Sequence, residues 1–109
     1  MRKTYIGELE EIVLLITVLL NEEAYGVAIT QEIEKQLNRK ISVSAVHSTL
    51  HRLLEKGYVD SYLGGATATR GGRRKRYFRI TVAGSKVLRE LQEDRKLLWG
   101  QIPPNAMPV

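Results

Sequence analysis

Ser44, His47, Ser48, His51 and Arg52 recur at spacings of three, four and one in a short stretch of the chain. On a helix such spacings gather side chains on one side. Three chemistries could use them. Serine beside histidine suits a nucleophile and its base, two imidazoles four apart suit a metal, and short polar groups on a helix suit the base edges of a DNA groove. Catalysis needs a base oriented by a third group, and nothing in the sequence supplies one or sets a nucleophile in a strand-to-helix elbow. A metal needs more ligands, yet the chain has no cysteine and serine ligates poorly. Groove reading needs cations nearby to hold the phosphates, and those are present.

They follow as Arg73-Arg74-Lys75-Arg76, directly after Gly71-Gly72. Residues 42–80 hold eight Lys/Arg against Glu55 and Asp60, a surplus of six, whereas the rest of the chain holds nine against ten acidic residues. The net charge of +5 is therefore concentrated beside the polar helix face. Such a patch attracts nucleic acid by neutralising phosphates and releasing counterions. A solvated surface is the plain alternative, and the placement of the charge argues against it. Arg52 has three readings: bidentate contact with guanine, a phosphate contact, or an ion pair with Glu55. Arg79 either joins the patch or turns towards Asp60 or Glu55. The glycine pairs flanking the loop are not followed by Gly-Lys-Ser/Thr, so they are not read as a nucleotide cradle.

These residues must be positioned by a small scaffold. At 109 residues the chain fits one domain, with 43% apolar and 27% charged residues. The apolar run Ile12–Leu20 is shorter than the roughly 18 residues of a membrane span, and the acidic residues before it do not suit a signal peptide. The expectation is a cytoplasmic protein. A first helix is expected from Gly7 to Asn21, apolar on nearly every side because Leu14 and Leu15 widen the stripe of Leu9, Ile12, Val13, Ile16, Leu19 and Leu20. Such a helix needs two covers, one of them outside its own domain. A second copy of the chain is the expected one.

A second helix is expected from Tyr25-Gly26 to Asn38, with Val27, Ile29, Ile33 and Leu37 buried and Asn38 at its end. The third should begin at Ser42 or Ser44 as N-cap and end at Gly57, burying Val43, Val46, Leu50, Leu53 and Leu54. Tyr58–Leu63 and Arg76–Ile80 alternate as strands, and the glycine-rich stretch 64–72 reads as a mobile loop. Thr81 should cap a fourth helix towards Trp99, with Val87, Leu88, Leu91 and Leu98 along one edge. The expected fold is mainly α with a two-stranded β-wing, a winged helix-turn-helix over residues 1–80. Residues 81–102 form the last helix, and 103–109 a disordered tail.

The chain resembles PadR-type transcriptional regulators over about residues 5–90. The resemblance is carried by Gly7-Glu8-Leu9-Glu10-Glu11, Glu23-Ala24-Tyr25-Gly26-Val27, Ser44-Ala45-Val46, Leu50-His51-Arg52-Leu53, Lys56-Gly57 and Gly72-Arg73-Arg74-Lys75-Arg76-Tyr77-Phe78-Arg79-Ile80-Thr81 with Gly84. It implies a homodimeric repressor of double-stranded operator DNA whose fourth helix pairs the subunits. Ser44, His47, Ser48, His51, Arg52, Arg73, Arg74, Lys75 and Arg76 would then be the DNA-contacting set, with no cofactor or metal. His47 stands where the family usually has tyrosine, Val82 where it usually has proline, and the C-terminal helical region is short. Some members sense planar aromatic compounds. Trp99, the sole tryptophan, either packs in the core or interface or stacks on such an effector. A winged-helix adaptor that binds an acidic protein partner is the competing reading. Membrane-surface binding is disfavoured, because no apolar side chain lies among the arginines of the basic run.

Overall fold

A computed structural model describes residues 5–64 and 75–109. Helix α1 spans Glu8–Leu20, and a single 3-10 turn, Asn21–Glu23, leads to α2 at Gly26–Leu37. Helix α3 covers Val43–Glu55, strands β1 and β2 cover Val59–Gly64 and Lys75–Ile80, and α4 covers Val82–Gln101. The 64–72 loop expectation falls mostly on residues outside those described, as do Arg73 and Arg74.

The boundaries are set by local chemistry. Ser42, rather than Ser44, accepts the Ala45 N–H at 3.1 Å and starts α3. Gly57 follows its end at φ +78°, where a side chain would be strained. Asn38 ends α2 in the left-handed region, its N–H returning to the Glu34 carbonyl. Thr81 accepts the Gly84 N–H and opens α4, while its own hydroxyl donates to the Gly57 carbonyl at 2.6 Å. One residue therefore caps α4 and ties it to the end of α3.

The two strands pair antiparallel, with Asp60 opposite Arg79 and Ser61 opposite Phe78. The other edge of β2 is held too: Phe78 N–H donates to the Ala24 carbonyl at 2.8 Å, and Tyr25 bridges to Tyr77. This anchors the wing on the turn between α1 and α2. The core joins Val13, Leu14 and Ile16 of α1, Ile29 and Ile33 of α2, and Val46, Leu50 and Leu53 of α3. Tyr58, Val59, Phe78 and Val87 close it from the wing and α4. Each large aliphatic side chain buried this way contributes about 1.5–3 kcal/mol. Thr17 and Thr49 are buried among them, and each hydroxyl donates to the carbonyl four residues earlier, so neither is left unsatisfied.

The expected buried faces need correction at their ends. Val27 and Leu37 are 44% and 49% exposed, because Ile29 and Ile33 alone face the core from α2. Val43 at the first turn of α3 is likewise open. On α1, Leu14 is fully buried whereas Leu15, Val18 and Leu19 face outwards. Arg95 of α4 reaches back to Glu11 of α1 at 2.6 Å. Beyond it Leu97, Leu98 and Trp99 are exposed, and the chain after Gln101 runs on the surface through a turn in which Ala106 N–H meets the Pro103 carbonyl.

Candidate nucleic-acid interface

The polar row foreseen on α3 is present and open to solvent: Ser44, His47, Ser48 and His51 are all exposed, while Val46, Thr49, Leu50 and Leu53 on the opposite side are buried. The helix thus turns an apolar half to the core and a polar half outwards, as its strong segregation of side chains requires. The Ser44 hydroxyl lies 3.4 Å from that of Ser42. His51 Nε2 stands 3.6 Å from Glu55 Oε2, one turn on.

His47 is the most constrained of the row. Its ring lies against the first residue of α2, so closely that a Cβ on Gly26 would fall 2.6 Å from Cε1 and Nε2. With His51, Leu54, Arg76 and Phe78 it lines a hollow between α3 and β2. The two imidazoles that the spacing suggested do come together. Among the described residues no group of three His, Cys, Asp or Glu is placed to hold a metal.

The cations at the start of β2 stand on aromatic and polar supports. Lys75 Nζ lies 4.2 Å from the centre of the Tyr25 ring, and Arg76 donates to Ser61 Oγ at 2.8 Å. Tyr77 is packed edge-on against Tyr25 and stacked on Tyr62, with centroids 5.5 and 5.6 Å apart. Arg79, left open by the sequence between the basic patch and an ion pair with Asp60 or Glu55, has its guanidinium 5.0 Å over the Tyr62 ring. Such contacts with cations add about 0.5–1 kcal/mol at exposed sites and restrain the side chains. Arg73 and Arg74 lie outside the described residues.

Arg52 is placed differently from its neighbours. It is half exposed, its guanidinium donating to Thr49 Oγ1 at 3.2 Å with Nε 4.0 Å from Glu10 Oε2. It leans towards α1, a partner absent from the three alternatives that the sequence offered. Glu10 itself was not foreseen. It is buried, accepts the Gly7 N–H at 2.8 Å and receives Lys56 Nζ at 2.8 Å. Burial of the carboxyl pushes its pKa up, but the hydrogen bonds from Lys56 and Gly7 and the charges of Lys56 and Arg52 outweigh that and hold it below the ordinary value. The signal was available: Glu10 falls in step with Val13, Leu14 and Thr17 on the buried side of α1. Trp99 stands exposed near the end of α4.

A three-helix core whose polar third helix sits beside a two-stranded sheet is a winged helix-turn-helix, an architecture that places one helix in the major groove. Residues 15–90 match the model of the transcriptional regulator PadR-like family, and the chain belongs to that family. It is 31% identical over 98 residues to an uncharacterised protein of Lysinibacillus sphaericus, across 88% of this chain and 82% of that one. Among solved structures it is similar to a transcriptional regulator from Clostridium thermocellum, with 27% identity, a TM-score of 0.67, and coverage of 83% and 84% of the two chains. It is similar in fold to a PadR-like transcriptional regulator from Bacillus cereus, at 20% identity, a TM-score of 0.70 and 86% coverage of each chain. Members of the family are transcription regulators rather than enzymes. Among the described residues no helix is long and apolar enough to cross a membrane.

Proposed function

We propose that this chain is a sequence-specific, homodimeric repressor that grips operator DNA with α3 in the major groove and the wing on the backbone. The observation that carries the reading is the exposed row Ser44, His47, Ser48 and His51, of which His47 and His51 share a hollow with Arg76 near the loop end of β2. Ser44 and Ser48 of the row meet base edges, His47 and His51 stand on its wing side, and the cations, with Arg73 and Arg74 beyond them, take phosphates and fix the register. Arg52 contributes from the end of the row, its lean towards Glu10 favouring a phosphate over a base.

The dimer reading is supported by Leu15, Val18 and Leu19 of α1 and Leu97, Leu98 and Trp99 of α4, large apolar residues left open in a single copy. Two copies would set their α3 helices about 34–36 Å apart and select an inverted repeat. Repression follows from occupancy of the operator. Trp99, on the surface that a second copy would cover, is the stacking residue for a planar aromatic effector, and quenching of its fluorescence by such compounds tests that role.

The decisive experiment is selection of bound fragments from genomic DNA, followed by electrophoretic shifts across a salt series. Changing Arg73 and Arg74 to alanine should weaken binding to every fragment and flatten the salt dependence by up to about 0.9 log unit for each phosphate no longer neutralised. Ser48→Ala should instead change which fragment is preferred. If both sets lower affinity without changing preference, the groove assignment is wrong. Weak, sequence-blind retardation would favour the adaptor reading.

A further inference from the structure

The hollow between α3 and β2 has an apolar floor, Leu54 and Phe78, and a rim of three nitrogen-bearing side chains, His47, His51 and Arg76. Its volume is about 370 Å³, ample for a phosphate group. Among the described residues no carboxylate lines it. Several nitrogen donors lining one small space suit a tetrahedral oxyanion, and the guanidinium supplies one permanent charge. The two imidazoles supply charge only when protonated, which for this side chain happens between about pH 8 and pH 5.

The geometry points to this hollow as the seat of one backbone phosphate of bound DNA, filled together with the uptake of a proton by His47, so that DNA affinity rises as the pH falls. The inference rests on the DNA-binding reading above and adds to it a site and a linkage. Its first support is position. His47 is wedged against Gly26 of α2, so its ring is already held at the rim and little side-chain freedom is lost when a phosphate arrives.

The second support is the arrangement of charge. From β2, Arg76 lines the hollow with His47 while its guanidinium donates to Ser61 Oγ at 2.8 Å. From α3, Glu55 Oε2 stands 3.6 Å from His51 Nε2, so that imidazole already has a carboxylate beside it. From the start of α2 and β2, Lys75 is drawn over the Tyr25 ring, beside Tyr77. An arriving phosphate gives His47 an anionic partner, as Glu55 already stands beside His51. The proton gained on binding therefore belongs mainly to His47. These are the chain's two histidines, so a titration in this range has few other sources.

The test uses the full chain and a fluorescein-labelled duplex that it retards, with Kd measured by anisotropy from pH 6.0 to 8.5 at constant ionic strength. Uptake of one proton makes Kd rise by up to tenfold per pH unit over the titration of the group. Wild-type protein should show such a rise. His47→Gln should show less than about a threefold change in Kd over the whole range, whereas His51→Gln should keep most of the slope. Gly26→Ala is the second variant: its Cβ would occupy the space of the His47 ring, displacing an intact imidazole, and it should flatten the profile as His47→Gln does. At pH 6 the wild type should also release more counterions than His47→Gln, a salt slope steeper by about 0.9. Circular dichroism melts establish that each variant is folded. A wild-type Kd that is constant across the range, or a slope that survives His47→Gln, overturns the inference and leaves the DNA-binding reading standing. Failure to bind any duplex at any pH sinks both.

Discussion

Gly84→Ala sets two physical effects of opposite sign against each other in one helix. Gly84 lies within α4, where alanine is favoured over glycine by about 1 kcal/mol on helix propensity alone. The site does not allow it. A Cβ there would stand 2.9 Å from Ile80 Cγ1 and closer still to the carbonyl oxygen of Tyr58. That carbonyl belongs to backbone rather than to a movable side-chain tip, and it accepts the Thr81 N–H at 3.0 Å. Relief requires α4 to lift from the start of β1, which weakens this hydrogen bond and loosens the Thr81 cap beside it. Overpacking costs about 1–3 kcal/mol and the hydrogen bond about 1 kcal/mol, so after the propensity gain the net loss is roughly 1–3 kcal/mol. In a domain of this size each kcal/mol moves Tm by about 4–8 °C. The assay is thermal unfolding by circular dichroism at one fixed protein concentration, because self-association would make Tm depend on concentration. A Tm equal to or above that of the wild type would refute the close approach of α4 to the strand.

Three further outcomes are expected. Gly57→Ala should cost about 1–2 kcal/mol through the left-handed backbone alone, since no atom of the other described residues beyond its chain neighbours lies within 4 Å of its would-be Cβ; Gly57→Asn should recover much of this, and equal losses for both in urea unfolding would refute the conformational explanation. Leu14→Ala, at a fully buried position, should cost about 2–5 kcal/mol by the same measurement, and a loss near zero would mean that α1 is not packed as described. Glu10→Gln should destabilise the chain in a pH-dependent way: the carboxyl has its pKa held down in the folded state, so its stabilising contribution is complete above the ordinary value near 4.5 and is lost as the pH falls through the lower folded value. The stability gap between wild type and Glu10→Gln should be widest near neutrality and narrow in acid, and a gap that widens on acidification would reverse the assignment.

Much of this architecture was legible because it rests on short-range rules. Ser42, Gly57, Asn38 and Thr81 each mark a helix end through a bond or a backbone angle that involves only near neighbours. The polar row of α3 was legible for the same reason, since helical periodicity alone separates Ser44, His47, Ser48 and His51 from Val46, Leu50 and Leu53. The over-extended buried faces of α2 and α3 mark the limit of that rule. Periodicity says which side of a helix is apolar, whereas the number of turns covered depends on where neighbouring elements stop. Val27, Leu37 and Val43 lie past those limits.

The parts that escaped are contacts between residues far apart in the chain, and they change how the site is understood. Lys56 and Glu10 are separated by 46 positions, and no local pattern pairs them. Their meeting, with Arg52 alongside, shows that the C-terminal end of the polar helix is held to α1 by an internal carboxylate, while its N-terminal part is free to meet a ligand. The same holds for the seat of His47. An imidazole on an exposed helix face reads from sequence as one more polar side chain. Only the approach of Gly26, 21 positions earlier in the chain, turns it into a fixed group at the rim of a hollow shared with β2. Position along the helix thus divides the work: the bond from Lys56 to Glu10 holds the end of α3 in place, Arg52 stands between the two roles, and residues facing the wing are left to bind. A substitution at Glu10 should then disturb affinity through the placement of α3, and one at His47 through charge alone, which is why only the latter should alter the dependence on pH.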